Sequence, residues 1–493
     1  MPSILAIDQG TTGTTALVVH QDGTILGRGY REVPQHFPQP GWVEHDPGDL
    51  FRTALEAGRD AIAQAGEHPV GLGITNQRET IVLWDRRTLE PIGRAIVWQD
   101  RRTAGRCAEL RAQGLTEMLR ERTGLVPDPY FSATKLELLL ADRDLRRRAE
   151  RGELAAGTVD SWLVARLTGG AAHVTDHTNA SRTMLYDLAG RSWDPELLSL
   201  FGVSPLVLPT IVASGEVVGT CHQEHFGFDL PIAGMAGDQQ AALFGQGCVH
   251  AGSAKNTYGT GTFLLMHTGA RRAHSSHGLL ATAACGPAGE PAYALEGSVF
   301  IAGAAVQWLR DGLGLVARAD ETEALARSVA DTGGVYFVPA FVGLGSPHWE
   351  AEARGTITGL TRGTSRAHLA RAALEAMAFS SAELVELMTE DAGLDAEALR
   401  VDGGASANNW LMQFLADVLG RPVERPDMIE TTALGAAGLA GITLGVWSDT
   451  GAFLAGRRFD RFEPASPEVE RAARRAGWQR AVHAALAWAR FEG

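Results

Sequence analysis

The sequence has little of what would place it in several large protein classes. Only four cysteines occur in 493 residues (Cys107, Cys221, Cys248 and Cys285), and no two share a CxxC or CxxH spacing. This argues against a disulfide scaffold and a zinc site, and it fits a reducing cytoplasm. No apolar run approaches the ~18 residues expected of a spanning helix. The first residues enter a strand-like run too soon for the charged and apolar regions of a secretion signal. Positive charge is also short, with 44 basic against 58 acidic residues and a formal net charge of −14. Nucleic-acid binding wants clustered Lys and Arg, so a nucleic-acid partner is not expected. A small anion held in a local positive site is still compatible.

What is present reads as a folded enzyme. Hydrophobic residues make up 45% and charged residues 21%, as in ordinary globular proteins. "SILAIDQGTTGTTALVV" (Ser3 to Val19) places a Gly/Thr turn between two apolar runs. The GK[ST] ending of a P-loop is missing, and so is the helix that follows a Rossmann glycine loop. The unit therefore reads as a β-hairpin. "QDG" before "TILGRGY" signals a second turn. A helix is expected from Leu50 to Gln64 and a strand at "VGLGIT". The same pattern returns at "AKNTYGTGTFLLM" (Ala254 to Met266), which again sets Gly-Thr-Gly between strands. In "LRVDGGASANNWLMQFLADVLG", Leu411, Phe414, Leu415, Val418 and Leu419 recur at helical spacing, and Gly420 stops the helix. Two half-chains that each begin strand–turn–strand suggest a duplicated α/β unit, with a boundary between residues 245 and 255.

The candidate chemistry lies at the strand ends. Backbone amides and hydroxyls of the "DQGTT" turn suit phosphate oxygens, and Asp8 suits Mg²⁺; a plain hairpin turn is the alternative. Gly259 to Gly261 offer a matching turn, and Gly403 and Gly404 let a flat ring lie against backbone near Asn408. In "GMAGDQQAALFG", Asp238 reads either as a general base or outer Mg²⁺ ligand, or as a helix N-cap. Arg78 and Glu79 pair a donor with an acceptor, as a polyol requires, or form a surface ion pair. Trp98 and Tyr130 suit the apolar side of a polyol, or simply the core. Taken together, these features describe a two-domain kinase with its site in the cleft.

The strings "AIDQGTT", "PGWVEHDP", "GITNQRET", "TGLVPDPYFSATK", "TDHTNASRTMLYD", "AGDQQAALFGQ", "AKNTYGTG", "YALEGSVFIAGAAVQWLRD" and "RVDGGASANNWLMQF" run nearly end to end. On these the chain resembles the FGGY family of carbohydrate kinases, of the actin/hexokinase/ribonuclease-H-like superfamily. The resemblance implies an α/β fold of two duplicated ribonuclease-H-like (actin-like ATPase) domains, residues 1–246 and 247–493, with the active site in the interdomain cleft. It implies ATP-dependent phosphorylation of glycerol with Mg²⁺, in a cytoplasmic homodimer or homotetramer.

By position, the resemblance implies that Arg78, Glu79, Tyr130, Asp238 and Gln239 bind glycerol, with Trp98 and Phe263 as walls. It makes Asp238 the catalytic base, and Asp8 and Asp238 the residues associated with the metal. Thr11, Thr12, Gly13, Thr260, Gly303, Gln307, Gly404 and Asn408 are the implied nucleotide contacts. Two departures from the family pattern stand out. Leu138 replaces an expected tryptophan, and Thr15 stands where "DQGTTSxR" carries a phosphate-contacting arginine. The alternatives are a related kinase for another polyol or small sugar, and a non-catalytic actin-fold regulator.

Overall fold

The computed structural model describes residues 2–490. Its first sheet has six strands: β1 (Ser3–Gln9), β2 (Gly13–His20), β3 (Ile25–Glu32), β4 (Gly71–Asn76), β5 (Gly219–Cys221) and β6 (Leu230–Gly237). They lie in the order β3-β2-β1-β4-β6-β5. The expected hairpin joins β1 to β2, while β1, β4 and β6 run parallel. Helix α1 (Pro47–Ala65) covers one face. Its start follows from Asp46, whose carboxylate accepts from Gly48 N, and from proline at the first helical position. Leu50, Ala54, Ala57 and Ala61 recur at helical spacing and face the sheet. The expected helix occurs and extends beyond Leu50 and Gln64 at both ends, and the expected strand occurs one residue later.

The second sheet has seven strands: β7 (Ala254–Tyr258), β8 (Thr262–Gly269), β9 (Leu280–Ala283), β10 (Tyr293–Val299), β11 (Leu399–Gly403), β12 (Val423–Pro426) and β13 (Phe459–Phe462). Their order is β9-β10-β8-β7-β11-β12-β13. Without β9, the run β10-β8-β7-β11-β12-β13 repeats the first sheet's parallel and antiparallel senses, and its chain order over the first four strands; at the far edge β13 follows β12 in the chain, whereas β5 precedes β6. The duplication read from the two glycine turns extends over the core strands of the sheet and differs at its edges.

Two helices join the halves. Helix α2 (Asp238–Gly245) follows β6 directly, and α6 (Thr431–Thr443) follows β12; α3 (Gly303–Asp311), α4 (Arg366–Ala392) and α5 (Asn409–Leu419) lie between them in the chain. Helix α6 packs on β1, β4 and β6 of the first sheet, and α2 touches β7 and β8 of the second. The two cross so closely that a Cβ on Gly435 would sit 1.9 Å from the Ala241 carbonyl oxygen. Only glycine permits that approach. Helix α5 buries Leu411, Phe414, Leu415 and Val418 and ends at Gly420, as its periodicity predicts.

Among the described residues, no helix is long and apolar enough to cross a membrane. Leu138 is largely exposed, so that departure from the family pattern lies on the surface.

Candidate active site

The C-terminal ends of β1, β4 and β6 are neighbours, with Asp8 opposite Thr75 and Gly237 opposite Asn76. Residues that follow parallel strands converge there, where open α/β sheets bind ligands. Asp8 comes from β1, Arg78 and Glu79 from the link after β4, and Asp238 from the first turn of α2. A smaller four-stranded sheet, Glu44–His45, Ala95–Ile96, Ile81–Asp85 and Leu154–Thr158 in that order, takes over from β4 at once. The link between the two sheets is therefore tight. Glu79 is held at φ 60°, in the left-handed region that a glutamate seldom adopts.

A cleft of about 610 Å³ opens at this point. Thr11 and Thr12 of the first hairpin and Gly259 to Gly261 of the second line it, together with Arg78, Glu79, Trp98, Tyr130, Asp238, Gln239 and Phe263. Each hairpin tip is closed by one backbone bond, but the second turn is one residue shorter: Gly10 N donates to Gly13 O at 3.0 Å, and Gly259 N to Gly261 O at 2.9 Å. Thr12 and Thr260 are the exposed tips. Thr11 Oγ1 accepts from Trp98 Nε1 at 2.8 Å, which leaves its own proton to donate into the cleft. Gly13 lies at the base of its hairpin, with the Tyr30 ring packed where a Cβ would project.

The aromatic residues form a box. Trp98 meets Tyr130 edge-on at 5.5 Å and Phe263 edge-on at 6.1 Å between ring centroids. At its floor both Nη groups of Arg78 are taken by protein acceptors. Nη1 donates to Glu296 Oε2 at 2.6 Å and Gln240 Oε1 at 3.2 Å, and Nη2 to Glu296 Oε1 at 2.9 Å and Tyr130 Oη at 3.3 Å. Nε faces Asp238 Oδ1 at 3.2 Å. Arg182 closes the network, with Nε donating to Glu79 Oε1 at 2.7 Å and Nη2 to Glu296 Oε1 at 3.0 Å. Burial alone would push Glu296 up, but the two guanidinium groups hold it down at about 2.

Arg182, Glu296, Gln240 and Lys255 were not singled out in the sequence, although all lie in quoted strings. The available signal was a charge inside an apolar strand, as in "YALEGSV" and "AKNTY": a charge is buried only with partners.

The N-cap reading of Asp238 is corrected by the structure. Gly237 is the N-cap, and Asp238 is the first helical residue. Its Oδ1 accepts from Gln239 N at 2.7 Å, and Oδ2 takes none of these bonds. Burial raises its pKa, with Arg78 and then Lys255 pulling against it. Burial, with the neighbouring Asp238 carboxylate second, pushes Asp8 up to about 8. Asp238 thus raises the affinity of Asp8 for a proton, and a hard cation at these oxygen donors would relieve it. Among the described residues no group of three or more His, Cys, Asp or Glu could hold a metal by itself. The pair therefore fits Mg²⁺, which binds through one or two carboxylates plus substrate phosphates.

The remaining expected nucleotide residues lie beyond the second hairpin, outside this cleft wall. Gly303 N donates to Gly259 O at 3.1 Å, so α3 begins against the hairpin. Gln307 is exposed one helical turn further on. Gly403 pairs with Tyr258 at the end of the ladder, and Gly404 faces open space. Asn408 caps α5, its Oδ1 accepting from Leu411 N at 2.9 Å, and its amide N–H groups stay free for a ligand. Thr15 lies directly opposite Asp8 across the β1–β2 ladder.

Comparison with known proteins agrees with this architecture. Residues 3–245 match the N-terminal domain of the FGGY family of carbohydrate kinases, and residues 254–444 match its C-terminal domain. The chain is 56% identical to a glycerol kinase of Alkalilimnicola ehrlichii, with 99% of both chains covered. It is 51% identical to glycerol kinase 2 of Thermotoga maritima, also over 99% of each. The structure of Plasmodium falciparum glycerol kinase with ADP superposes with a TM-score of 0.93 at 35% identity, over 99% of this chain and 98% of that one. A ligand-bound xylulose kinase of Lactobacillus acidophilus shares the fold, with a TM-score of 0.89 at 21% identity and 99% of both chains covered. With both family domains matched along the chain and full-length relatives above half identity, this protein belongs to the FGGY family of carbohydrate kinases.

Proposed function

We propose that the chain transfers the γ-phosphoryl group of ATP to a terminal hydroxyl of glycerol, giving sn-glycerol 3-phosphate. The observation that carries this reading is Asp238. A carboxylate of raised pKa, with one oxygen uncommitted, lines the same cleft as two Gly/Thr hairpins and a small aromatic box. The full-length relatives named glycerol kinase support glycerol as the acceptor.

In this reading the carbon backbone of glycerol lies against Trp98, Tyr130 and Phe263. Its hydroxyls meet the acceptor Glu79, the amide of Gln239 and, of Arg78, only Nε, because both Nη groups are taken by protein acceptors. Asp238 Oδ2 takes the proton from the attacking hydroxyl, and Arg78 holds Oδ1 so that the carboxylate cannot turn away. Thr11, Thr12 and Thr260, with the hairpin amides, bind the phosphates and offset charge in a loose transition state. Gly303, Gln307, Gly404 and Asn408 hold the rest of the nucleotide. Asp8 and Asp238 would hold Mg²⁺, which when bound neutralises charge on the phosphate oxygens. Residues 1–246 and 247–493 are the two units whose closure would exclude water, the competing acceptor.

The test is phosphotransfer with purified protein, ATP and Mg²⁺ across a panel of polyols and small sugars. The reading expects the highest kcat/KM with glycerol. A higher value with a pentulose or another sugar would move the substrate, and no transfer to any acceptor would remove the activity.

A further inference from the structure

Lys255 is a cation beside the acceptor site with no role in the scheme above. It lies in β7, fully buried, and its ammonium carries three donors and no acceptor. Each donor has a protein oxygen in reach: Gln239 Oε1 at 2.5 Å, Thr257 Oγ1 at 2.8 Å, and the Phe263 carbonyl at 3.5 Å. With all three directions taken, Lys255 has no N–H left for a phosphate. Thr257 and Phe263 face each other across the base of the second hairpin, so the lysine joins that hairpin to the first turn of α2.

The contact fixes a chemical choice. A side-chain amide offers either its carbonyl oxygen or its N–H groups in a given direction, and an ammonium can face only the oxygen. The Gln239 Nε2 group must therefore point away from Lys255, and Gln239 lines the cleft. Burial pushes the lysine down to about 8, so it is still an ammonium at neutral pH. We infer that Lys255 is a positioning residue that locks the Gln239 amide so that it presents N–H donors, not an acceptor, to a hydroxyl oxygen of the substrate. This rests on the reading of the cleft as the acceptor site. On that basis the donor Gln239 complements the acceptor Glu79, whose Oε1 is held by Arg182.

A double-mutant cycle on the full-length protein tests the inference. Glycerol and ATP kinetics are measured for wild type, Lys255→Met, Gln239→Ala and the double variant. Each single change should raise the KM for glycerol about tenfold. The double variant should go no higher than Gln239→Ala alone, with KM for ATP within about twofold throughout, because a residue acting through Gln239 has nothing left to act on. Additive effects, near a hundredfold together, would overturn the inference while leaving the acceptor site intact. So would a Lys255→Met variant that raises the KM for ATP, since that would mean a phosphate contact. An unchanged glycerol KM in Gln239→Ala would instead overturn the acceptor-site reading and the inference with it. If the methionine variant does not fold, Lys255→Gln, which keeps hydrogen-bonding atoms in the buried position, carries the same cycle.

Discussion

The two sheets share the same pattern of parallel and antiparallel strands and each opens on a Gly/Thr hairpin, yet their equivalent positions hold different chemistry. Two residues before the turn glycine, the first half has Asp8 and the second has Thr257. After the last parallel strand, the first half starts α2 at once with Asp238, whereas the second runs through a loop before α6 at Thr431. In the first half Glu79 and Asp238 line the cleft. In the second, Asp402 is buried and receives hydrogen bonds from Gln246 and Thr431. Two turns stand at corresponding strand ends; under the proposed function, the acids in one half and the bare backbone in the other would divide the labour between phosphoryl acceptor and nucleotide.

The sharpest way to break that comparison is Asp238→Asn. Removing the base should lower kcat by about 10³- to 10⁴-fold while glycerol still binds, measured by steady-state rates alongside calorimetric titration. A near-normal rate would mean that the first half holds no base. Next is Glu296→Ala, which leaves the Arg78 and Arg182 guanidinium groups buried with a shared partner gone. A loss of about 3–5 kcal/mol of stability is expected in urea unfolding. A loss under about 1 kcal/mol would show that the cluster behaves like a surface pair.

Two adjacent glycines separate structure from function in the second half. At Gly403, φ is 82° and a Cβ would stand 2.2 Å from the Tyr258 carbonyl oxygen, so Gly403→Ala should destabilise the protein by about 1–3 kcal/mol. At Gly404 a Cβ would meet nothing within 4 Å, so Gly404→Ala should leave stability within about 0.5 kcal/mol of wild type. Its KM for ATP should still rise severalfold, because a ring stacked there would be displaced. An unchanged KM would place the nucleotide elsewhere.

The smallest expected effect belongs to Thr15→Arg. A guanidinium across the ladder from Asp8 should lower the KM for ATP two- to fivefold, an order-of-magnitude expectation for a single cross-strand charge pair. No change would show that Thr15 costs this protein nothing.

Much of the fold was legible because its signals are local. The turn glycines, the alternation around them and the periodicity of Leu411 to Leu419 all act within a few residues. Asp8, Arg78, Glu79 and Asp238 could be singled out because each follows a recognisable strand. Glu296, Arg182 and Lys255 were passed over because each makes sense only with its partners. Arg78 and Glu296 are 218 positions apart in the chain, and no short-range pattern records such a pairing.

The sequence by itself determined two strand–turn–strand units, the residue types at their tips and a resemblance strong enough to name a family. Only the tertiary structure decided which hydrogen bonds those residues make. It made Gly237 the helix cap and left one oxygen of Asp238 uncommitted. It also turned the Gln239 amide by placing an ammonium against its oxygen. The physical reason is burial: away from water each polar atom must find its partner in the protein, and decisive ones, such as Glu296 for Arg78 and Lys255 for Gln239, come from the other half of the chain.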